Sequence, residues 1–210
     1  MSALANRSRA VSAVWWTTLS CLAWWVGCDS RPARVPAPGW DPPQTAARAM
    51  EQLDVDANAM IDSSEAEASP GLSRAFARLD SNKDNRLSES EIRDRFAFYE
   101  KLRTGLVSRT FQALLNGRPV ADAKVEFIPE EFQGGVTEVA VGLTDYDGMV
   151  MPTIANQDRP AMQIGFYRVV LYPDPSSTGQ PLKIESPVGV EVSPVSEPDE
   201  SGNPILRFKK

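Results

Sequence analysis

The sequence predicts a multidomain α plus β protein: an internally duplicated helical region followed by a small antiparallel β-sandwich. Three observations predict it. Apolar residues recur at helical spacing between residues 45 and 103. Two twelve-residue stretches inside that region, DVDANAMIDSSE from Asp54 and DSNKDNRLSESE from Asp80, repeat one acidic pattern 26 residues apart. After Gly105 the texture changes to short β-branched and aromatic runs separated by turn residues.

Each helical element has its own signal. Ala46, Ala49, Met50 and Leu53 fall on one helix face, and the first acidic stretch follows directly. EAEAS is a short helical piece stopped by Pro70-Gly71. Leu72, Ala75, Phe76 and Leu79 repeat the first face and lead into the second stretch. Ile92, Phe96 and Tyr99 then mark a longer closing helix to about Arg103. The order is helix, loop, helix, helix, loop, helix.

The β region reads as VSRTFQALL, KVEFIP, EVAVGLT, YRVVLYP, VGVEVSP and ILRFK, with Asn116-Gly117 and Asp145 to Gly148 as turns. Asp145-x-Asp147-Gly148 is turn chemistry rather than a metal site. Glu130, Glu131 and Glu138 read as solvated strand and loop residues rather than an acid/base pair.

The two acidic stretches supply oxygen at alternating positions, the arrangement a hard cation needs when a chain wraps around it. Positions 1, 3, 5, 7, 9 and 12 are Asp54, Asp56, Asn58, Met60, Asp62 and Glu65 in the first. In the second they are Asp80, Asn82, Asp84, Arg86, Ser88 and Glu91. Met60 and Arg86 would serve through their backbone carbonyls, and Glu65 and Glu91 through both carboxylate oxygens. Ile61 and Leu87, at position 8 of each, suit a short strand contact between the loops.

With these residues in place, residues 45–103 resemble a pair of EF-hands, which implies calcium as the ligand. The pattern departs at position 6, usually glycine: Ala59 and Asn85 stand there. The first loop carries four carboxylates and the second three, so charge favours the first and backbone geometry the second. The intervening helices are short, which implies a constitutive site rather than an opening switch.

The β region carries a second resemblance. NGRPVADAKVEF matches the opening of carboxypeptidase regulatory-like domains through Gly117, Pro119, Val120, Ala123 and Val125. TDYDGMV resembles that family's hairpin. GFYRVVL resembles its core strand through Gly165, Tyr167 and Val169. The resemblance covers roughly residues 105–210 and implies a transthyretin-like β-sandwich with structural motifs and no peptidase zinc site.

The chain begins with Arg7 and Arg9, then an apolar run to Gly27 holding four of its five tryptophans. The run ends in WVGC, which resembles the lipobox of bacterial lipoproteins, with Cys28 as the lipidated residue and Trp25 departing from its usual leucine. A plain signal peptide or an uncleaved membrane anchor are the alternatives. The organisation expected is a signal peptide over 1–27, a proline-rich tether over 28–44, the helical pair over 45–103 and the β region over 105–210. Trp40 in the tether would dock on the domain or be exposed.

Composition excludes several functions. The chain has no histidine, so serine-histidine and cysteine-histidine catalysis and histidine-ligated zinc are ruled out. A net charge of −6 argues against a nucleic-acid partner and suits cation binding. The expectation is a non-enzymatic calcium-binding protein, exported and lipid-anchored to the outer face of a bacterial membrane, in the periplasm or at the cell surface. Its role would be structural or interactive. The alternatives are an envelope module that binds carbohydrate, polysaccharide or protein through the sandwich, and an accessory subunit of an exported enzyme. An exposed aromatic platform on the β region would favour the binding module.

Overall fold

The computed structural model describes residues 35–174, 182–194 and 203–209. Cys28 and the apolar run before it lie outside the described residues, as does most of the expected tether. Among the described residues no helix is long and apolar enough to cross a membrane.

The first helix, α1 (Pro42–Leu53), starts three residues before the expected position. The expected tether includes Pro42 and Pro43, but proline is favoured in a first helical turn, where the missing N–H has no partner to lose. Asp41 caps the turn, accepting from Gln44 N at 3.0 Å. Trp40, just before it, is buried with its ring 4.9 Å from that of Phe96. The end of the tether is therefore part of the fold.

A three-residue strand β1 (Met60–Asp62), a one-turn helix α2 (Ser63–Ala66) and helix α3 (Pro70–Leu79) follow. Then come strand β2 (Arg86–Ser88) and helix α4 (Glu89–Leu102). The expected order of helices and loops is present. Strands β1 and β2 pair antiparallel with Ile61 opposite Leu87, as position 8 of each loop predicts.

The remainder forms two sheets. Their strands are β3 (Phe111–Leu115), β4 (Arg118–Pro119), β5 (Lys124–Pro129), β6 (Ala140–Leu143), β7 (Met149–Val150), β8 (Thr153–Ile154), β9 (Gly165–Tyr172), β10 (Ile184–Glu185), β11 (Val190–Val192) and β12 (Ile205–Phe208). The larger sheet runs β10-β9-β5-β6-β8, with β11 also on β9; the smaller runs β12-β3-β4, with β7 on β3. All six runs read as strands form strands. The strands of both sheets pair antiparallel, as expected, except that β12 pairs with β3 in parallel. Parallel neighbours need a long crossover, and here almost the whole β region lies between the two strands.

Phe111, Val150, Leu206 and Phe208 of the smaller sheet meet Val125, Phe127, Tyr167, Val169 and Leu171 of the larger in one hydrophobic cluster. A second cluster joins the helices to the β region: Trp40, Leu53, Leu72, Phe96 and Tyr99 pack with Phe132, Ile164 and Phe166. Residues Arg34–Lys210 accordingly form one compact unit. Strand β9 divides its side chains between the clusters, with Tyr167 in the first and Phe166 in the second. That is why GFYRVVLY is a nearly continuous apolar run rather than an alternating one.

Candidate metal centre

Each acidic loop leaves a helix through a carboxylate and returns into the next through a glutamate. Asp54 ends α1 and Asp80 ends α3, with nearly the same backbone angles (φ −76°, ψ 84° and φ −65°, ψ 83°). Their side chains turn back into the loops. Asp54 accepts from Asn58 N at 3.0 Å and Ala59 N at 2.9 Å. Asp80 accepts from Asp84 N at 3.1 Å and Asn85 N at 2.9 Å, the same bonds 26 residues later. The fifth position carries the repeat further, since Asn58 Oδ1 accepts from Met60 N and Asp84 Oδ1 from Arg86 N, both at 2.9 Å.

The closing glutamates reach across each loop to its start. Glu65 Oε1 accepts from Val55 N at 2.8 Å, and Glu91 Oε1 from Ser81 N at 2.9 Å. Their other oxygens accept from Asp62 N at 3.0 Å and Ser88 N at 2.9 Å. The duplication seen in sequence thus extends to individual hydrogen bonds.

The loops bend by left-handed backbone at two positions each. Ala57 and Ala59 have φ of 57° and 65° in the first, and Lys83 and Asn85 have φ of 60° and 61° in the second. Position 6 was expected from sequence; position 4 was not. A side chain in this region costs on the order of 1–2 kcal/mol, least for asparagine.

Carboxylate oxygens of Asp54, Asp56 and Glu65 lie within 4.8 Å of one another. Asp62 does not belong to this group. It caps α2, accepting from Ser64 N at 2.8 Å, Ser64 Oγ at 2.6 Å and Glu65 N at 3.0 Å. The Ser64 hydroxyl and then the Glu65 amide hold its carboxyl below the usual carboxylate range. Ser88, its counterpart, caps α4. In the second loop position 3 is Asn82, whose amide donates to Asp84 Oδ2 at 2.9 Å, so the second loop is the less acidic. Burial pushes the Glu91 carboxyl up, but hydrogen bonds from Ser88 and Ser81 outweigh it and keep the group below its ordinary value.

These side chains offer only oxygen. Hard cations of the calcium and magnesium class fit such a set, whereas zinc prefers nitrogen and sulfur. The residues present therefore fit a hard divalent cation. The Asp145 carboxylate is engaged otherwise: its Oδ1 accepts from Asp147 N at 2.9 Å and Met149 N at 2.8 Å, an ordinary side-chain turn.

The aromatics of the β region are mostly interior. Phe127, Phe132, Phe166, Tyr167 and Phe208 are buried, and Tyr146 is 84% exposed at a turn. Neither a protein-family model, a curated protein nor a solved structure matches the chain. Function must accordingly be inferred from the loops themselves.

Proposed function

We propose that the chain is a calcium-binding protein in which two EF-hand-like loops each hold one ion, and that calcium serves to stabilise and stiffen the structure. The observation that carries this reading is the matched loop geometry: the same backbone amides bond the same carboxylate positions in both loops, and three carboxylates converge in the first. Carboxylates held this close repel one another, and a cation removes the repulsion. The residues that would hold it are Asp54, Asp56, Asn58, Asp62 and Glu65 with the Met60 carbonyl, and Asp80, Asn82, Asp84, Ser88 and Glu91 with the Arg86 carbonyl. Outside the cytosol, sites with dissociation constants of about 10⁻⁴ to 10⁻³ M are adequate.

The same reading makes the protein an exported lipoprotein anchored through Cys28, with the two sheets as a carboxypeptidase regulatory-like sandwich and a structural or interaction role in a bacterial envelope. It has no enzymatic activity on this reading. Replacing Cys28 by serine should abolish lipid labelling and release the chain from membranes.

Calorimetry tests the calcium site. Calcium should bind and raise the melting temperature by mass action once it exceeds its dissociation constant. Magnesium should do so less well, because it requires tight octahedral geometry. Glu65→Gln and Glu91→Gln should each weaken one loop. An absence of calcium heat and of any melting shift at millimolar calcium would overturn the reading.

A further inference from the structure

Glu191 sits on β11, opposite Phe166 of β9, and its side chain is 1% exposed. Its carboxylate is shared by the two helices that flank the second loop. Arg78 of α3 donates through Nε to Oε2 at 3.0 Å and also through Nη2. Arg95 of α4 donates through Nε to Oε1 at 2.6 Å and also through Nη2, and the Tyr99 hydroxyl donates to the same oxygen. Arg78 stands two residues before Asp80, and Arg95 four residues after Glu91. One carboxylate of the sheet therefore ties the helix entering the loop to the helix leaving it.

Among the described residues the first loop has no such tie. The residues 26 positions earlier are Gln52, which is exposed, and Ser69, which follows a helix of only four residues. Two guanidinium groups and a phenol on one buried carboxylate are also more than packing requires. Charges drawn out of water are stable only when paired and fully hydrogen-bonded, so this cluster admits few other geometries.

We propose that Glu191 is a positioning residue for the second loop. It fixes α3 and α4 at the separation at which Glu91 can close on Ser81 and Asn82, and so keeps that loop in its binding shape before the ion arrives. This rests on the calcium reading above. A loop held in its competent shape binds more tightly, because no part of the binding free energy is used to select that shape. Coupling is reciprocal, so calcium in the second loop also strengthens the contact of the helices with the sheet.

The test is calcium titration of the full chain carrying one working loop at a time. With the first loop disabled by Glu65→Gln, adding Glu191→Gln should weaken calcium binding by roughly 5- to 150-fold, the usual range for coupled sites. With the second loop disabled by Glu91→Gln, Glu191→Gln should leave the affinity of the first nearly unchanged. A purely structural role would lower the melting temperature and weaken both loops alike. Should Glu191→Gln fail to fold, Arg78→Gln releases the α3 side of the cluster and leaves Arg95 and Tyr99 on Glu191, at a residue whose side chain is 28% exposed. It should weaken the second loop in the same direction, and Arg78→Lys should retain more of the affinity. Equal affinities with and without these changes, or equal losses at both loops, overturn the positioning role while leaving the calcium reading intact. A parent chain that takes up no calcium overturns both.

Discussion

The backbone N–H of Gly71 donates to Glu130 Oε1 at 2.8 Å, joining the first turn of α3 to the end of β5. The helix reaches the sheet this closely because residue 71 has no side chain. A Cβ there would lie 2.7 Å from Tyr167 N and 3.1 Å from Glu130 Oε1. Gly189 makes the matching approach from the sheet, donating its N–H to Pro70 O at 3.2 Å. Gly71→Ala should therefore destabilise the protein by about 1–3 kcal/mol, the usual cost of overpacking, although alanine is ordinarily the better helix former. Denaturant unfolding measures this, and a stability equal to or above the parent's would show that the contact yields without cost.

Glu130 also gives the fold a pH signature. Burial pushes its carboxyl above the ordinary value of 4.5, against the opposing pull of the Gly71 amide and Arg168. The folded state therefore holds this proton more tightly than the unfolded chain does. The resulting stability is fully present below 4.5 and is lost as pH rises through the raised folded value. Asp62 and Glu91 act in the opposite direction: their depressed values give stability at higher pH that is lost as pH falls through those values. Glu130→Gln keeps an acceptor for Gly71 and removes the titration. The difference in stability between variant and parent should shift in the variant's favour as pH rises from 4.5 toward neutrality. A difference that stays constant with pH would show that Glu130 does not titrate in this way.

The helical region and the β region share more than a covalent link. Phe132, Ile164 and Phe166 belong to the β region by sequence, yet they are buried beneath Trp40, Phe96 and Tyr99. The β region has a cluster of its own, so residues 105–210 alone should still form β structure. Without the helices those three apolar groups are uncovered, and Glu191 loses Arg78, Arg95 and Tyr99 together. The fragment should bind a hydrophobic dye and melt well below the whole chain. Equal melting temperatures would mean that the shared cluster contributes nothing to the sheets.

Local signals made the helical region legible. Helix faces, the 26-residue repeat and the position-8 pair Ile61 and Leu87 all follow from short-range periodicity, and the structure contains each. The long strands were legible for the same reason, whereas the two-residue strands β4, β7, β8 and β10 carry too few residues to show a period. What sequence reading missed is non-local. The parallel pairing of β3 with β12 depends on strands some ninety residues apart. Glu191 stands between buried Val190 and Val192, and simple alternation would place it on an outer, solvated face. That inference fails because α3 covers the face. The available signal was Arg78 beside Leu79 and Arg95 beside Phe96, two charges bordering apolar helix faces. Asp62 carries two readings at once, since an aspartate at this position can cap the following helix, as it does here, and the same position suits a ligand.

Backbone strain in the first loop leads to the last prediction. Ala57 and Ala59 both sit in the left-handed region, which glycine enters freely and alanine does not. The second loop places Asn85, a tolerant residue, at one of its two such positions. Ala57→Gly and Ala59→Gly should each relieve on the order of 1 kcal/mol of strain, partly offset by the greater freedom of glycine in the unfolded chain. Each should therefore raise stability modestly, against the usual direction for alanine to glycine. Ala47→Gly, on the exposed side of α1, is the control and should cost about 0.5–1 kcal/mol. If the strained turn is also what limits the site, the two loop changes should tighten calcium binding at the first loop, measured with the second disabled by Glu91→Gln. Loss of stability in both loop variants would show that the alanine side chains make contacts worth more than the strain they cause.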